Sequence, residues 1–392
     1  MFDQEKQVYS FLEHSKIPVY DVPPELLRAV SESLEKYIRV TRDLFQDRYY
    51  LEASNYVGSF SAGGVQFQIN PKIPVNNLFY IISKVYDLVE VKPLDQLVHL
   101  SASYELIEYL LRLLLEETER LLRQGLFSRY LAFCDRLNVI RGKLIMKTLA
   151  QRSWDISEIE CAFHEYTPDV LENQLVLSAL NNAAKIPTVR IFSSSVSNVI
   201  NKLWAVSDRK LTGKDVDKVI FNRLNNRYKK VLTLARFFLD NIGLKDESGG
   251  QHVRGFFIDM NKLFEKYVER LLKEKQWGNI QIKTQHSEQF ARQPDITVKP
   301  DIIFFEDDLP RLIIDVKYKR SNKPSSEDIY QMNAYADQFD TDVVLVYPTD
   351  EVEEKEYYLP KGRKLYVRYL NLGGACIFAE EGRFLTRISE LL

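Results

Sequence analysis

The sequence predicts an α/β protein, α+β overall, whose C-terminal part is a mixed sheet flanked by helices. Three observations carry that prediction. Beyond residue 250 the pattern runs helix, strand, hairpin, helix, strand, strand, the order of one sheet covered by helices. In the middle third, leucines and isoleucines recur at helical spacing over 104–123, 169–184 and 216–241. In the first hundred residues Val65, Phe67 and Ile69 alternate with Gln66 and Gln68. Ser61-Ala62-Gly63-Gly64 precedes them and offers a hairpin turn.

In chain order, 23–40 reads as a helix and 51–74 as strands, so 1–100 forms a mixed N-terminal domain. The segment 101–250 forms a helix-rich middle region. It closes on Lys245-Asp246-Glu247-Ser248-Gly249-Gly250-Gln251, a polar, glycine-containing linker without periodicity. The third domain, 251–392, opens with a helix over 258–275 whose apolar stripe is Met260, Leu263, Phe264, Tyr267, Leu271 and Leu272. A strand at 280–283, the hairpin, a helix at 326–339 and strands at 343–347 and 365–370 follow.

Composition excludes several function classes. The chain has 392 residues, 45% hydrophobic and 28% charged, as ordinary soluble globular proteins do. Its net charge is −2, so affinity for nucleic acid has to come from a local patch. Cys134, Cys161 and Cys376 lack CxxC spacing, and the five histidines lack metal-ligand spacing, which argues against a zinc site. No apolar run approaches the roughly 20 residues that span a bilayer. The expectation is a cytoplasmic protein with no membrane partner.

The chemistry is concentrated in one hairpin. Pro300-Asp301-Ile302-Ile303-Phe304-Phe305 and Leu312-Ile313-Ile314-Asp315-Val316-Lys317 are two strands about a short polar turn. Side chains alternate along a strand, so Asp315 and Lys317 share a face. With Glu306–Pro310 as the loop, Phe305 pairs with Arg311 and Asp301 falls opposite Asp315. Directly paired residues have Cβ atoms about 4.5–5.5 Å apart, close enough for two carboxylates to share a divalent cation.

Other D-x-K triplets, such as Asp208-Arg209-Lys210, sit in polar surroundings where a solvated surface explains them. Asp315 instead follows a buried-type strand, where an ionised carboxylate is costly without a partner. Asp295 is a rival for the first acid. In the same ladder it falls opposite Ser321, about 20 Å from Asp301. The pattern therefore favours metal-assisted phosphodiester hydrolysis, with Asp301 and Asp315 holding Mg²⁺ (Mn²⁺ as the alternative ion). Lys317 orients the water or stabilises developing charge. Gln331 and Tyr335, four residues apart, share a helix face that could reach this site.

These residues resemble a known family. Asp301, Asp315-x-Lys317 and Gln331-x-x-x-Tyr335 are similar to the PD-(D/E)XK nuclease core, particularly its RecB-like branch. Ile314-Asp315-Val316-Lys317-Tyr318-Lys319 and Tyr330-Gln331-Met332-x-Ala334-Tyr335-Ala336 resemble the McrC family, the nuclease subunit of McrBC modification-dependent restriction systems. Asn261-Lys262-Leu263-Phe264-Glu265-Lys266-Tyr267-Val268 resembles the family's first nuclease helix, which implies a supporting metal role for Glu265. Tyr56-Val57-Gly58 and Gln68-Ile69-Asn70-Pro71-Lys72-Ile73 resemble the McrC segment before its helical insert.

The resemblance implies a DNA endonuclease subunit partnered by an AAA+ GTPase of the McrB type, docked through the N-terminal domain. Its substrate would be modified, double-stranded DNA. No GxxxxGK[ST] loop occurs, since Gly58 to Gly63 continues into Gly64 and Val65. The nucleotide is therefore expected on another chain.

For DNA contact, Lys319, Arg320 and Lys323 adjoin the hairpin, and 218–236 carries a run of cations including Arg227, Lys229 and Lys230. The plainer reading of that run is a solvated helix face. Two further readings stay open: a stand-alone PD-(D/E)XK nuclease, and a non-catalytic adaptor that activates a motor.

Overall fold

The computed structural model describes residues 2–3, 8–20, 22–43, 45, 48–88, 103–146, 158–186, 192–244, 253–284, 288–292, 295–319, 323–349, 351 and 353–392. The chain divides into two compact units. One comprises Met1–Ile107 with Gly243–Leu392, and the other is Glu108–Ile242. The linker expected at 245–251 lies outside the described residues.

The first unit contains a six-stranded mixed sheet, ordered Gln281–Thr284, Ile302–Glu306, Leu309–Val316, Asp342–Tyr347, Lys364–Tyr369 and Glu356–Tyr358. Leu309–Val316 is central, antiparallel to Ile302–Glu306 and parallel to Asp342–Tyr347. Buried on both faces, it reads as a continuous apolar run rather than an alternation. The helix Ser326–Phe339 links the two parallel strands. Its Met332, Tyr335, Ala336 and Phe339 pack on Ile303, Ile313, Val343 and Leu345. Ser325 and Asp328 close its first turn as a reciprocal capping box, and Asp340 ends it in the left-handed region. The helix Met260–Glu274 also contacts Leu309–Val316.

A second six-stranded sheet joins sequence-distant segments. Arg254–Asp259, a strand that falls between the expected linker at 245–251 and the expected helix over 258–275 and overlaps the start of that helix, pairs with Tyr56–Ala62, which in turn pairs with Val65–Asn70. Residues 1–100 and 251–392 thus share a sheet. Gly58 makes the pairing possible: a Cβ there would lie 1.9 Å from the Phe256 carbonyl oxygen. The hairpin expected at Gly63-Gly64 is present, both glycines having positive φ.

The expected helices over 104–123 and 169–184 form as Ser103–Gln124 and Leu171–Ala183. The helix expected over 216–241 does not run through. A 3-10 turn occupies Gly213–Lys218, and the helix begins at Lys229. Asn222 and Asn225 interrupt it, because their side-chain oxygens take the backbone N–H groups of Leu224 and Asn222 and so compete with helical bonding. The middle region also carries a three-stranded sheet in which Arg129–Leu137 and Ile159–Thr167 pair over nine positions. Seven of the nine residues of Arg129–Leu137 are exposed, which leaves little apolar alternation for a sequence pattern to detect. The chain ends in a helix, Ile377–Ser389, not in strands. No helix among the described residues is long and apolar enough to cross a membrane.

Candidate active site

The hairpin that carries the acids is tighter than its sequence suggests. Asp307 and Asp308 both have positive φ and form a two-residue turn, so Glu306 pairs with Leu309. A bulge between Phe304 and Phe305 then shifts the register by one, so that Phe304 pairs with Leu312 and Ile302 with Ile314. The expected Phe305–Arg311 pair is absent. The shorter turn and the bulge cancel, so the last pair of the ladder, Ile302–Ile314, keeps the expected count, with Asp301 and Asp315 each one residue further along.

Asp301 is fixed by the backbone it faces: its Oδ2 accepts a 2.8 Å hydrogen bond from the Val316 N–H. Asp315 is 2% exposed, and the Lys317 ammonium lies 2.7 Å from its Oδ2. Lys317 also donates to Gln331 Oε1 at 2.9 Å. The Gln331 amide donates to the Tyr335 hydroxyl at 2.7 Å, and that hydroxyl reaches the Lys299 carbonyl at 3.4 Å. The structure therefore brings together Asp301, Asp315, Lys317, Gln331 and Tyr335. Glu265, half-buried on Met260–Glu274, is near enough for its charge to act on Asp301.

Burial and mutual repulsion set the electrostatics. Desolvation, then the charge of Asp315, push the Asp301 carboxyl up to about 7. The Val316 N–H and Lys317 oppose the shift and Glu265 adds to it. Asp315 is also raised, chiefly by burial, against the pull of Lys317. Burial works against the charge of Lys317, but Asp315 and Asp301 outweigh it and lift its pKa.

Two facing carboxylates that each resist ionisation fit a divalent cation, which removes the repulsion between them. Both donors are hard oxygens, and Mg²⁺ needs only one or two protein carboxylates because it retains waters. Among the described residues no three His, Cys, Asp or Glu side chains are grouped to hold a metal.

Other sequence candidates fall differently. Asp295 pairs with Arg292 in a separate two-stranded sheet. Lys319 is engaged by buried Asp328, 2.5 Å from its Oδ2 and 3.3 Å from Ser325 Oγ. Asp328 is thus a structural partner the sequence analysis overlooked, although Ser325-x-x-Asp328 carries the signature of a capping box. Lys323 is exposed, and Arg320 lies outside the described residues. In the second unit Arg227 donates to the Gly125 carbonyl at 2.7 Å, at the end of Ser103–Gln124. Lys218 pairs with Asp215, and Arg236 pairs with both oxygens of Asp217. Lys229 lies over the Phe221 ring and Lys230 is half-exposed. The cation run is largely committed to local contacts.

Against this geometry, the family described as McrBC 5-methylcytosine restriction system component matches residues 51–348. The chain belongs to that family. The matched span takes in both the Tyr56-Val57-Gly58 strand and the Asp301, Asp315, Lys317 cluster, so the McrC resemblance read from the residues is borne out. The chain of this McrBC-family member is also similar to one from the tetradecameric assembly of Thermococcus gammatolerans McrB AAA+ hexamers with bound McrC. The TM-score is 0.59 and the identity 19%, over 97% of this chain and 100% of that one. This shows a shared fold. A chain of the Thermococcus gammatolerans McrBC complex has a TM-score of 0.41 and 19% identity, over 69% of this chain and 89% of that one. No curated protein is significantly similar in sequence.

Proposed function

We propose that this chain is the DNA-cleaving subunit of a McrBC-like, modification-dependent restriction complex, acting with an AAA+ GTPase of the McrB type. The observation that carries the reading is the grouping of Asp301, Asp315 and Lys317 at one end of a buried hairpin, with Asp301 accepting from the Val316 N–H and Lys317 2.7 Å from Asp315. The family description, a restriction system component, agrees with it. The similar Thermococcus gammatolerans assembly contains McrB AAA+ hexamers with bound McrC. The missing phosphate-binding loop points the same way, since it assigns nucleotide hydrolysis to a partner.

Asp301 and Asp315 would hold Mg²⁺, or Mn²⁺, which when bound supplies Lewis acidity and a water of lowered pKa. Lys317 donates toward the scissile phosphate or its attacking water and stabilises the negative charge that develops. Gln331 and Tyr335 hold the ammonium in one place, so it need not reorganise as the reaction proceeds. Glu265 would support the ion from the helix Met260–Glu274. No side-chain nucleophile is required for hydrolysis of a phosphodiester. Lys323 and Arg320 are the phosphate contacts of this region, whereas Lys319 serves Asp328. The substrate is modified double-stranded DNA, and the modified base is read by the partner.

Asp315→Ala and Lys317→Ala test the reading. With the GTPase partner, GTP and Mg²⁺ present, both are expected to abolish cleavage of methylated DNA while leaving assembly intact. Survival of Mg²⁺-dependent cleavage in either variant would sink it.

A further inference from the structure

Residue 13 lies far from the hairpin in sequence, yet Glu13 is fully buried and meets it directly. Its Oε1 accepts 2.7 Å from the Tyr318 hydroxyl and 2.9 Å from the Lys72 N–H. Tyr318 is the residue after Lys317. The turn that presents Glu13 is firmly tied. The Glu13 N–H donates to the Asn70 carbonyl at 2.9 Å, and His14 adopts a positive φ of 51° with its N–H directed to Ser54.

Tyr318 is held on its other side by Phe264, whose ring centroid is 5.9 Å away in an edge contact. Phe264 is the neighbour of Glu265. The backbone at Lys317 is fixed in turn by its N–H to the Val346 carbonyl at 2.9 Å, and its carbonyl accepts from Lys319. Space beside these groups, bounded by Glu13, Lys72, Tyr318 and Lys319, amounts to about 10 Å³. That is room for one water, too little for a ligand, so the cluster is a strut and not a binding pocket.

We infer that Glu13 is a positioning residue for cleavage: through the Tyr318 hydroxyl it sets the strand end that aims Lys317. This rests on the nuclease reading above. It gives the segment Gln68-Ile69-Asn70-Pro71-Lys72-Ile73 a task distinct from partner docking, because the Lys72 N–H and the Asn70 carbonyl hold Glu13 in place. An ionised or amide oxygen at position 13 can accept both hydrogen bonds, whereas a methyl group accepts neither.

The test uses the full chain with its GTPase partner, GTP, Mg²⁺ and saturating methylated DNA, and reads the single-turnover cleavage rate. Tyr318→Phe keeps the ring against Phe264 and loses only the hydroxyl. It is expected to slow cleavage about ten- to hundred-fold, with DNA affinity and melting temperature unchanged. Glu13→Ala is expected to match it, Glu13→Gln to restore most of the rate, and Glu13→Ala with Tyr318→Phe to be no slower than either alone.

An unimpaired Tyr318→Phe, a Glu13→Gln no better than Glu13→Ala, or additive losses would each overturn the inference. Lys317→Ala separates the two levels. If it cleaves at the unaltered rate, the nuclease reading and this inference both fall. If it is inactive while Tyr318→Phe is unimpaired, the positioning role alone is refuted.

Discussion

Asp301 Oδ2 accepts a 2.8 Å hydrogen bond from the main-chain N–H of Val316, the residue between Asp315 and Lys317. One contact thereby locks the first acid to the strand that carries the second acid and the lysine. The hairpin register and the site geometry are one feature, and changes to either propagate to the other.

Lys317 makes its nearest contacts with Asp315 at 2.7 Å and Gln331 at 2.9 Å. Lys317→Met keeps much of the aliphatic stem and removes the charge. Cleavage is expected to fall about 10²- to 10³-fold, while DNA binding by the assembled complex persists. A rate within a few fold of the parent would show that the ammonium takes no part.

The Asp301 carboxyl is raised by burial and by Asp315 to about 7, above its ordinary value. In the metal-free chain the folded state therefore binds the proton more tightly than the unfolded state. The resulting stability is fully present below the unfolded pKa and is lost as pH rises through about 7. Metal-free protein is expected to melt at a lower temperature at pH 8 than at pH 5 by more than Asp301→Asn does. Mg²⁺ should restore the difference at pH 8. Parallel pH profiles for the two proteins would contradict the assignment.

Lys319 and Asp328 form an ion pair at 2.5 Å over a buried carboxylate. Lys319→Ala leaves that carboxylate with fewer donors and is expected to lower stability by about 1–2 kcal/mol, since the lysine is itself partly exposed. The salt dependence of DNA binding should stay unchanged. A reduced salt slope at unaltered stability would make Lys319 a phosphate contact instead.

Gly58→Ala tests the sheet that joins the two ends of the chain. Its Cβ would meet the Phe256 carbonyl oxygen at 1.9 Å, so the paired strands must part. The expected loss is about 1–3 kcal/mol in chemical denaturation. Full stability in the variant would mean that Tyr56–Ala62 and Arg254–Asp259 can separate there without penalty.

The sequence alone located Asp301, Asp315 and Lys317 at one end of the hairpin, and the helix that supplies Gln331 and Tyr335. These rest on local rules: period-two alternation in a strand, four-residue spacing in a helix, and the cost of placing a carboxylate at the end of an apolar run. Even the cancelling turn and bulge left the Ile302–Ile314 register as counted. Only the tertiary structure decided which cations are committed to local contacts and what braces the site. Lys319 turned to Asp328, and Arg227 to the carbonyls that end Ser103–Gln124. Arg254–Asp259 joined Tyr56–Ala62, and Glu13 reached Tyr318. Such pairings join residues up to about three hundred positions apart, and no local periodicity encodes them. They arise when buried carboxylates and unpaired strand edges find the donors that folding brings beside them.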